Sequence, residues 1–257
     1  MNISDIASTL SATLTADAFG QTERTRASSG NDAITKALSQ ASERIDQQRE
    51  SAQVRLSAFG QIKSAVAELQ SSSKALTDGQ NTDTSEEAKK AAQNFVNAFN
   101  TARTVANRAI NGDGQTQGTL ATESRARVAA NELSRSLDRS TSNELRDIGI
   151  TTNQNGTLSI DAQKFEQALQ SDPQQVAETL ASAGGQVEQA TSRQLENNSN
   201  VNRSINNLNN QVRNLETQQA NQQNLIEMMQ RSTEQANNRL NAISASGIAA
   251  YQKIFGL

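Results

Sequence analysis

The sequence predicts a mainly α protein in which long N- and C-terminal coiled-coil helices flank a small helical domain carrying one β-hairpin. Three observations predict it. A single proline in 257 residues leaves little to interrupt helices. Apolar residues make up 34% of the chain and aromatic residues 3%. That is below the roughly 45–50% apolar share of ordinary globular domains with glycine included, and it favours narrow buried stripes over one thick core. Finally, apolar residues recur in unbroken steps of four and three along two stretches near opposite ends of the chain.

Residues 1–33 read as a flexible arm rich in Ser, Thr and Ala, ending in the polar run Gln21–Gly30. Its Ile3, Ile6, Leu10 and Leu14 keep a helical spacing that allows the first half to fold against a partner. The first seam occupies 34–79: Ile34, Leu38, Ala41, Ile45, Gln48, Ala52, Arg55, Phe59, Ile62, Val66, Leu69, Ser73 and Leu76, closed by Thr77-Asp78-Gly79. The second lies within 186–257: Val201, Ile205, Leu208, Val212, Leu215, Gln219, Gln222, Ile226, Met229, Thr233, Ala236, Leu240 and Ile243. A helix from Gln186 to Ser244 is about 90 Å long at 1.5 Å per residue. Gln219, Gln222 and Thr233 are polar intrusions that either set register or are merely tolerated in a weak coil. Two seams at opposite ends suggest that the terminal helices pair with each other.

The intervening domain, 80–185, has its own punctuation. Thr84-Ser-Glu-Glu87 is a capping box opening a helix with the stripe Phe95, Phe99, Ala102, Ala106 and Ile110, stopped by Asn111-Gly112. A further helix carries Ala126, Ala130, Leu133 and Leu137. The period then drops to two around Asn155-Gly156, which supplies the positive φ angles of a tight hairpin turn between Asp147–Thr152 and Gly156–Asp161. Asp161 and Asp172-Pro173 start two short helices, with Pro173 at the first helical position. Gly184-Gly185 is either a hinge or a helix stop. Gly156 is expected to resist a β-branched replacement, whereas Gly118→Ala is expected to be mild.

The chain has no His, Cys or Trp, so no His- or Cys-based nucleophile relay and no ordinary zinc site can be assembled. We expect no catalytic residue, no metal and no cofactor. Asn111–Gly118 superficially resembles a calcium loop, but Thr116 and Thr122 stand where glycine and glutamate are needed. Net charge is −3, from 24 basic and 27 acidic residues with the signs interspersed. That speaks against nucleic acid as a partner. No run approaches the ~20 apolar residues of a membrane span, and Met1–Gly30 lacks the pattern of a cleaved signal peptide.

The order of motifs resembles the flagellar filament cap family, hook-associated protein 2. Four stretches carry the resemblance: Arg55–Ala65 with its Phe59-Gly60 step; Phe95-Val-Asn-Ala-Phe-Asn100; Gly118-Thr-Leu-Ala followed by Arg125–Leu137; and Leu145–Thr152 with Asn155–Asp161, Phe165, Leu169, Asp172-Pro173 and Val176. Asn2–Phe19 does not match the glycine-rich, Leu-Asp-containing opening usual in the family. Only Gln80–Lys90 stands where members usually carry outer domains. The chain thus looks like a minimal axial core.

The resemblance implies a non-enzymatic structural protein that caps the filament tip and promotes flagellin assembly. The alternative is a flagellin-like or hook–filament junction subunit distributed along the shaft. It further implies an extracellular flagellar location, type III export without a cleaved signal peptide, homo-oligomerisation, and partners among flagellin, hook–filament junction proteins and an export chaperone, with no membrane insertion. The contact residues expected are the apolar tail Ile243, Ile248, Tyr251, Ile254 and Phe255, the seam residues Leu208 and Val212, and Phe59. The tail meets neighbouring subunits or the filament end, or else packs on the chain's own N-terminal arm. Phe59 beside Gly60 is a docking knob at a close helix approach, or plain core.

Overall fold

The structure, a computed structural model, describes residues 21–78, 85–112 and 118–255, with the backbone alone for 21–32, 240, 244–245 and 247–255. Helix α1 runs Gln21–Thr77, α2 Ser85–Asn111, α3 Ser124–Ser134 and α4 Arg139–Asp147. Strands β1 (Ile150–Thr152) and β2 (Leu158–Ile160) follow, then α5 (Ala162–Ser171), α6 (Pro173–Leu195) and α7 (Asn200–Phe255). The fold class is as expected: long helices, a helical middle and one hairpin. The chain divides into two compact units, one of residues 51–211 and one of the described parts of 1–50 with 212–257.

Unit 51–211 holds the main core. Phe95 and Phe99 of α2 sit with ring centroids 6.1 Å apart, among Leu69 and Leu76 of α1, Leu133, Leu145, Phe165, Leu169 and the Val176, Leu180 and Val187 ridge of α6. The first seam is buried along this stretch at Ala52, Phe59, Ile62, Val66, Leu69, Ser73 and Leu76. Its charged position, Arg55, is answered by Glu123 at 3.0 Å. Glu123 is the N-cap of α3 but makes no side-chain cap bond.

The hairpin pairs Ile150 with Ile160 and Thr152 with Leu158, antiparallel. Its connection differs from the expected tight turn. Gly156 has φ +76°, but no non-glycine residue among those described has positive φ. Asn153 N–H donates to Thr157 O (2.7 Å) and Gly156 N–H to Asn153 O (2.8 Å), giving a three-residue loop ending in a left-handed glycine. Asn155 serves instead as an acceptor, its Oδ1 taking Thr157 N–H at 3.1 Å. A second left-handed glycine, Gly149 at φ +91°, turns the chain from α4 into β1, so the strand begins at Ile150 rather than at Asp147.

Asn100 of α2 explains why an asparagine closes the Phe95–Asn100 motif. Its Nδ2 donates to Leu158 O at 2.8 Å, and its Oδ1 accepts Leu158 N–H at 2.7 Å. The side-chain amide thus pairs with the free edge of β2 as a neighbouring strand would. Arg103, one turn further, donates to Asn155 O at 3.1 Å.

Several boundaries are corrected. Helix α1 begins at Gln21 rather than Ile34; the run 21–32 contains no proline, and one internal glycine is tolerated in a helix. The helix expected through Leu137 ends at Ser134, and Asp138 starts α4 by accepting Thr141 N–H at 2.8 Å. Asp161 and Asp172 cap α5 and α6 as expected, but α6 is a 23-residue helix that runs straight through Gly184-Gly185. Neither hinge nor stop lies there. An added Cβ at Gly184 would come within 2.7 Å of Ser73 O and 2.8 Å of Leu76 Cβ, so the glycine lets α6 approach α1 closely.

The long C-terminal helix does not start at Gln186: α6 ends at Leu195 and α7 starts at Asn200. Asn202 Nδ2 donates to the carbonyls of Leu195 (2.9 Å) and Glu196 (2.8 Å), while Ser199 Oγ accepts Asn202 N–H at 3.2 Å. Such local side-chain bonds satisfy the backbone without a helix. Gly118 is also corrected: an added Cβ would lie 2.3 Å from the Ile110 carbonyl carbon.

Candidate interaction site

The second unit, by itself, groups residues 21–50 of α1 with residues 212–255 of α7. Asp46 meets Gln219 at 2.9 Å, while Thr35 and Leu38 share a groove with Ile226, Met229, Gln230, Thr233 and Glu234. Rising numbers on one helix oppose falling numbers on the other, so the segments run antiparallel. Leu38, Ile45 and Leu215 are buried, whereas Gln48 is exposed and Ile226 and Met229 are half-buried. The groove encloses about 330 Å³. Beside it Met228 is 63% exposed, and Leu225 is half-buried. These two lie off the four-three seam, which is why seam counting passed them over; the signal was the clustered Leu225-Ile-Glu-Met-Met229 composition. From residue 233 to residue 242 every described side chain is exposed; that of Leu240 lies outside the description.

The expected contact residues fall into three groups. Ile243 is 67% exposed. Ile248, Tyr251, Ile254 and Phe255 belong to α7, but their side chains lie outside the described residues. Leu208 and Phe59 are buried in unit 51–211, at 6% and 0% exposure, and Val212 is half-buried. Phe59 is therefore core and not an outward knob. Nor is there a close approach at Gly60, where an added Cβ would meet nothing within 4 Å.

Among the described residues no group of three or more carboxylates could hold a metal; most of the Asn111–Gly118 loop, Asp113–Gln117, lies outside them. A polar recess of about 210 Å³ at the α6–α7 elbow is lined by Glu132, Arg193, Glu196 and Arg203, whose charges balance and select no ion. Among the described residues two ionisable groups are shifted. Burial pulls the Arg103 guanidinium below its usual range. The Thr141 N–H holds the Asp138 carboxyl low, aided by Gln186 Nε2 at 3.0 Å. Both shifts follow from positioning the hairpin and α4. Among the described residues no helix is long and apolar enough to cross a membrane.

Long helices, two of which run antiparallel, and a compact helical middle with one hairpin make this a mainly α, elongated-helix type of protein. The chain belongs to the flagellar hook-associated protein 2 family: residues 73–243 match the family described as "Flagellar hook-associated protein 2 C-terminus". A search of curated proteins found no match. The match covers α2 through most of α7, including the Asn100–hairpin junction and the α6–α7 elbow. Its family makes the chain a structural component of the bacterial flagellum, outside the cell.

Proposed function

We propose that the protein caps the distal end of the flagellar filament and promotes the ordered addition of flagellin. The observation that carries this reading is the family match over 73–243. It is supported by Ile243 on α7, which stands open to solvent at 67% exposure, as an apolar contact residue for another subunit would. In this reading unit 51–211 is the rigid body of the cap, and the α1–α7 pair with its apolar tail engages neighbouring copies and the filament end. No bond is made or broken; binding energy at the tip orders incoming flagellin. Junction proteins and an export chaperone are the further partners.

The test is a deletion strain. It is expected to keep hooks, to shed unpolymerised flagellin into the medium, and to resume filament growth when purified protein is added. Immunogold label is expected as one spot at each filament tip. Label along the shaft, or filaments of normal number and length in the deletion strain, would overturn the proposal.

A further inference from the structure

We infer that the two adjacent methionines of α7 form an oxidation site, at which conversion of Met229 to its sulfoxide loosens the local packing of α7 on α1 while conversion of Met228 leaves it intact. The chain has no Cys, His or Trp and only three methionines. One is Met1, outside the described residues, and the others are the neighbours Met228 and Met229. Thioethers are thus its most readily oxidised groups, and two of the three stand side by side on one helix.

Successive residues of a helix are turned by about 100°, at 3.6 residues per turn, so the two neighbours meet different surroundings. Met228 is 63% exposed and does not line the groove. Met229 lines it, with Thr35 and Leu38 of α1 and Ile226 and Thr233 of its own helix. Leu38 is only 3% exposed, so Met229 borders the covered part of the α1–α7 contact. It is itself half-buried, which leaves it within reach of a small solute.

Hydrogen peroxide supplies the oxygen: its O–O bond breaks, an S–O bond forms, the sulfur gives up two electrons and the peroxide leaves as water. The product is polar where the thioether was apolar. At position 228 the new oxygen is solvated whether or not the helices are packed. At position 229 it is desolvated in the groove unless the helices part, and an unpaired polar group so placed is costly. Leu38 and Ile226 have no donor to offer it, and the Thr233 hydroxyl already donates to Met229 O at 2.9 Å.

The test treats the full-length protein with hydrogen peroxide, locates each added oxygen by fragmentation mass spectrometry, and follows hydrogen–deuterium exchange in residues 34–45 and 222–234. Oxidised native protein is expected to exchange about fivefold faster in both segments, the ratio given by the lower end of the cost of burying an unsatisfied polar group. Unit 51–211 contains no methionine, and its exchange is expected to stay unchanged. Met228→Leu is expected to keep the response and Met229→Leu to abolish it, since leucine replaces methionine at little cost in packing. Met229→Gln, polar without any oxidant, is expected to speed exchange in the same segments. Should that variant lose its helical circular dichroism, the two leucine variants under peroxide decide alone. Failure of Met229 to take up oxygen, unchanged exchange once it has done so, or an equal response from the two leucine variants would overturn the proposal.

Discussion

Gly184 and Gly185 are chemically identical neighbours in the middle of α6, yet they differ in what surrounds them. A Cβ at Gly184 would press to 2.7 Å on the Ser73 carbonyl, a backbone atom that cannot swing away, whereas at Gly185 the nearest atom is Thr77 Cγ2 at 3.7 Å. Replacing glycine by alanine inside a helix gains up to about 1 kcal/mol, but overpacking costs about 1–3 kcal/mol. Gly184→Ala is therefore expected to lower stability and Gly185→Ala to raise it slightly, measured by urea unfolding of the two variants. Ser73 belongs to the same account: a small seam residue, fully buried, with Oγ bonded to Leu69 O at 2.7 Å. Sequence reading noticed the glycine pair and looked for a break, because glycine lowers helix propensity; only the opposing backbone reveals that it serves packing. Gly118 follows the same logic, with the Ile110 carbonyl 2.3 Å from an added Cβ, so Gly118→Ala is expected to be as damaging as Gly156→Val.

Elements in this chain are held in place by single polar side chains at their ends and edges. Asn100 satisfies both backbone groups of Leu158. Asn100→Ala, which leaves them unpaired at a part-buried edge, is expected to cost about 1–3 kcal/mol. Asn100→Asp is expected to be no better, since a carboxylate accepts the N–H but faces the carbonyl oxygen with no donor; thermal melting of both variants checks this. Asp138 caps α4, and the Thr141 N–H lowers its carboxyl pKa in the folded state. A depressed folded value means that its contribution is present above the unfolded pKa and is lost as pH falls through the folded one. The melting-temperature gap between the native protein and Asp138→Asn is expected to hold near neutrality and to shrink below about pH 4. A gap that stayed constant into acid would show the bond to be independent of charge. The caps at Asp161 and Asp172 were legible because each precedes an apolar run with the right spacing. Asp138 was not, because Leu137 continued the apolar phase of the preceding helix and hid the break. The Asn-rich elbow was hidden likewise: the seam is in step from Val201 onward, and periodicity alone does not say where a helix begins.

At the scale of the whole molecule, the long helices α1 and α7 were readable from heptad spacing. Which seam residues would be free for partners was not, because a stripe of apolar residues reads the same whether it is covered in cis or left open. Leu208 is covered, at 6% exposure, and Ile243 is open at 67%. This difference separates folding from assembly and can be tested directly. Leu208→Asp buries an unpaired carboxylate in unit 51–211 and is expected to cost roughly 3 kcal/mol or more, lowering the melting temperature. Truncation of residues 242–257 removes no residue of that unit, so its melting transition and its helical circular dichroism per residue are expected to persist. If the tail contacts neighbouring subunits or the filament end, the truncated protein, supplied to a strain lacking the native chain, restores no filament growth even though it is folded and exported. Normal filaments from the truncated protein would instead assign the tail to contacts within its own chain, leaving the cap proposal to stand on the deletion strain alone.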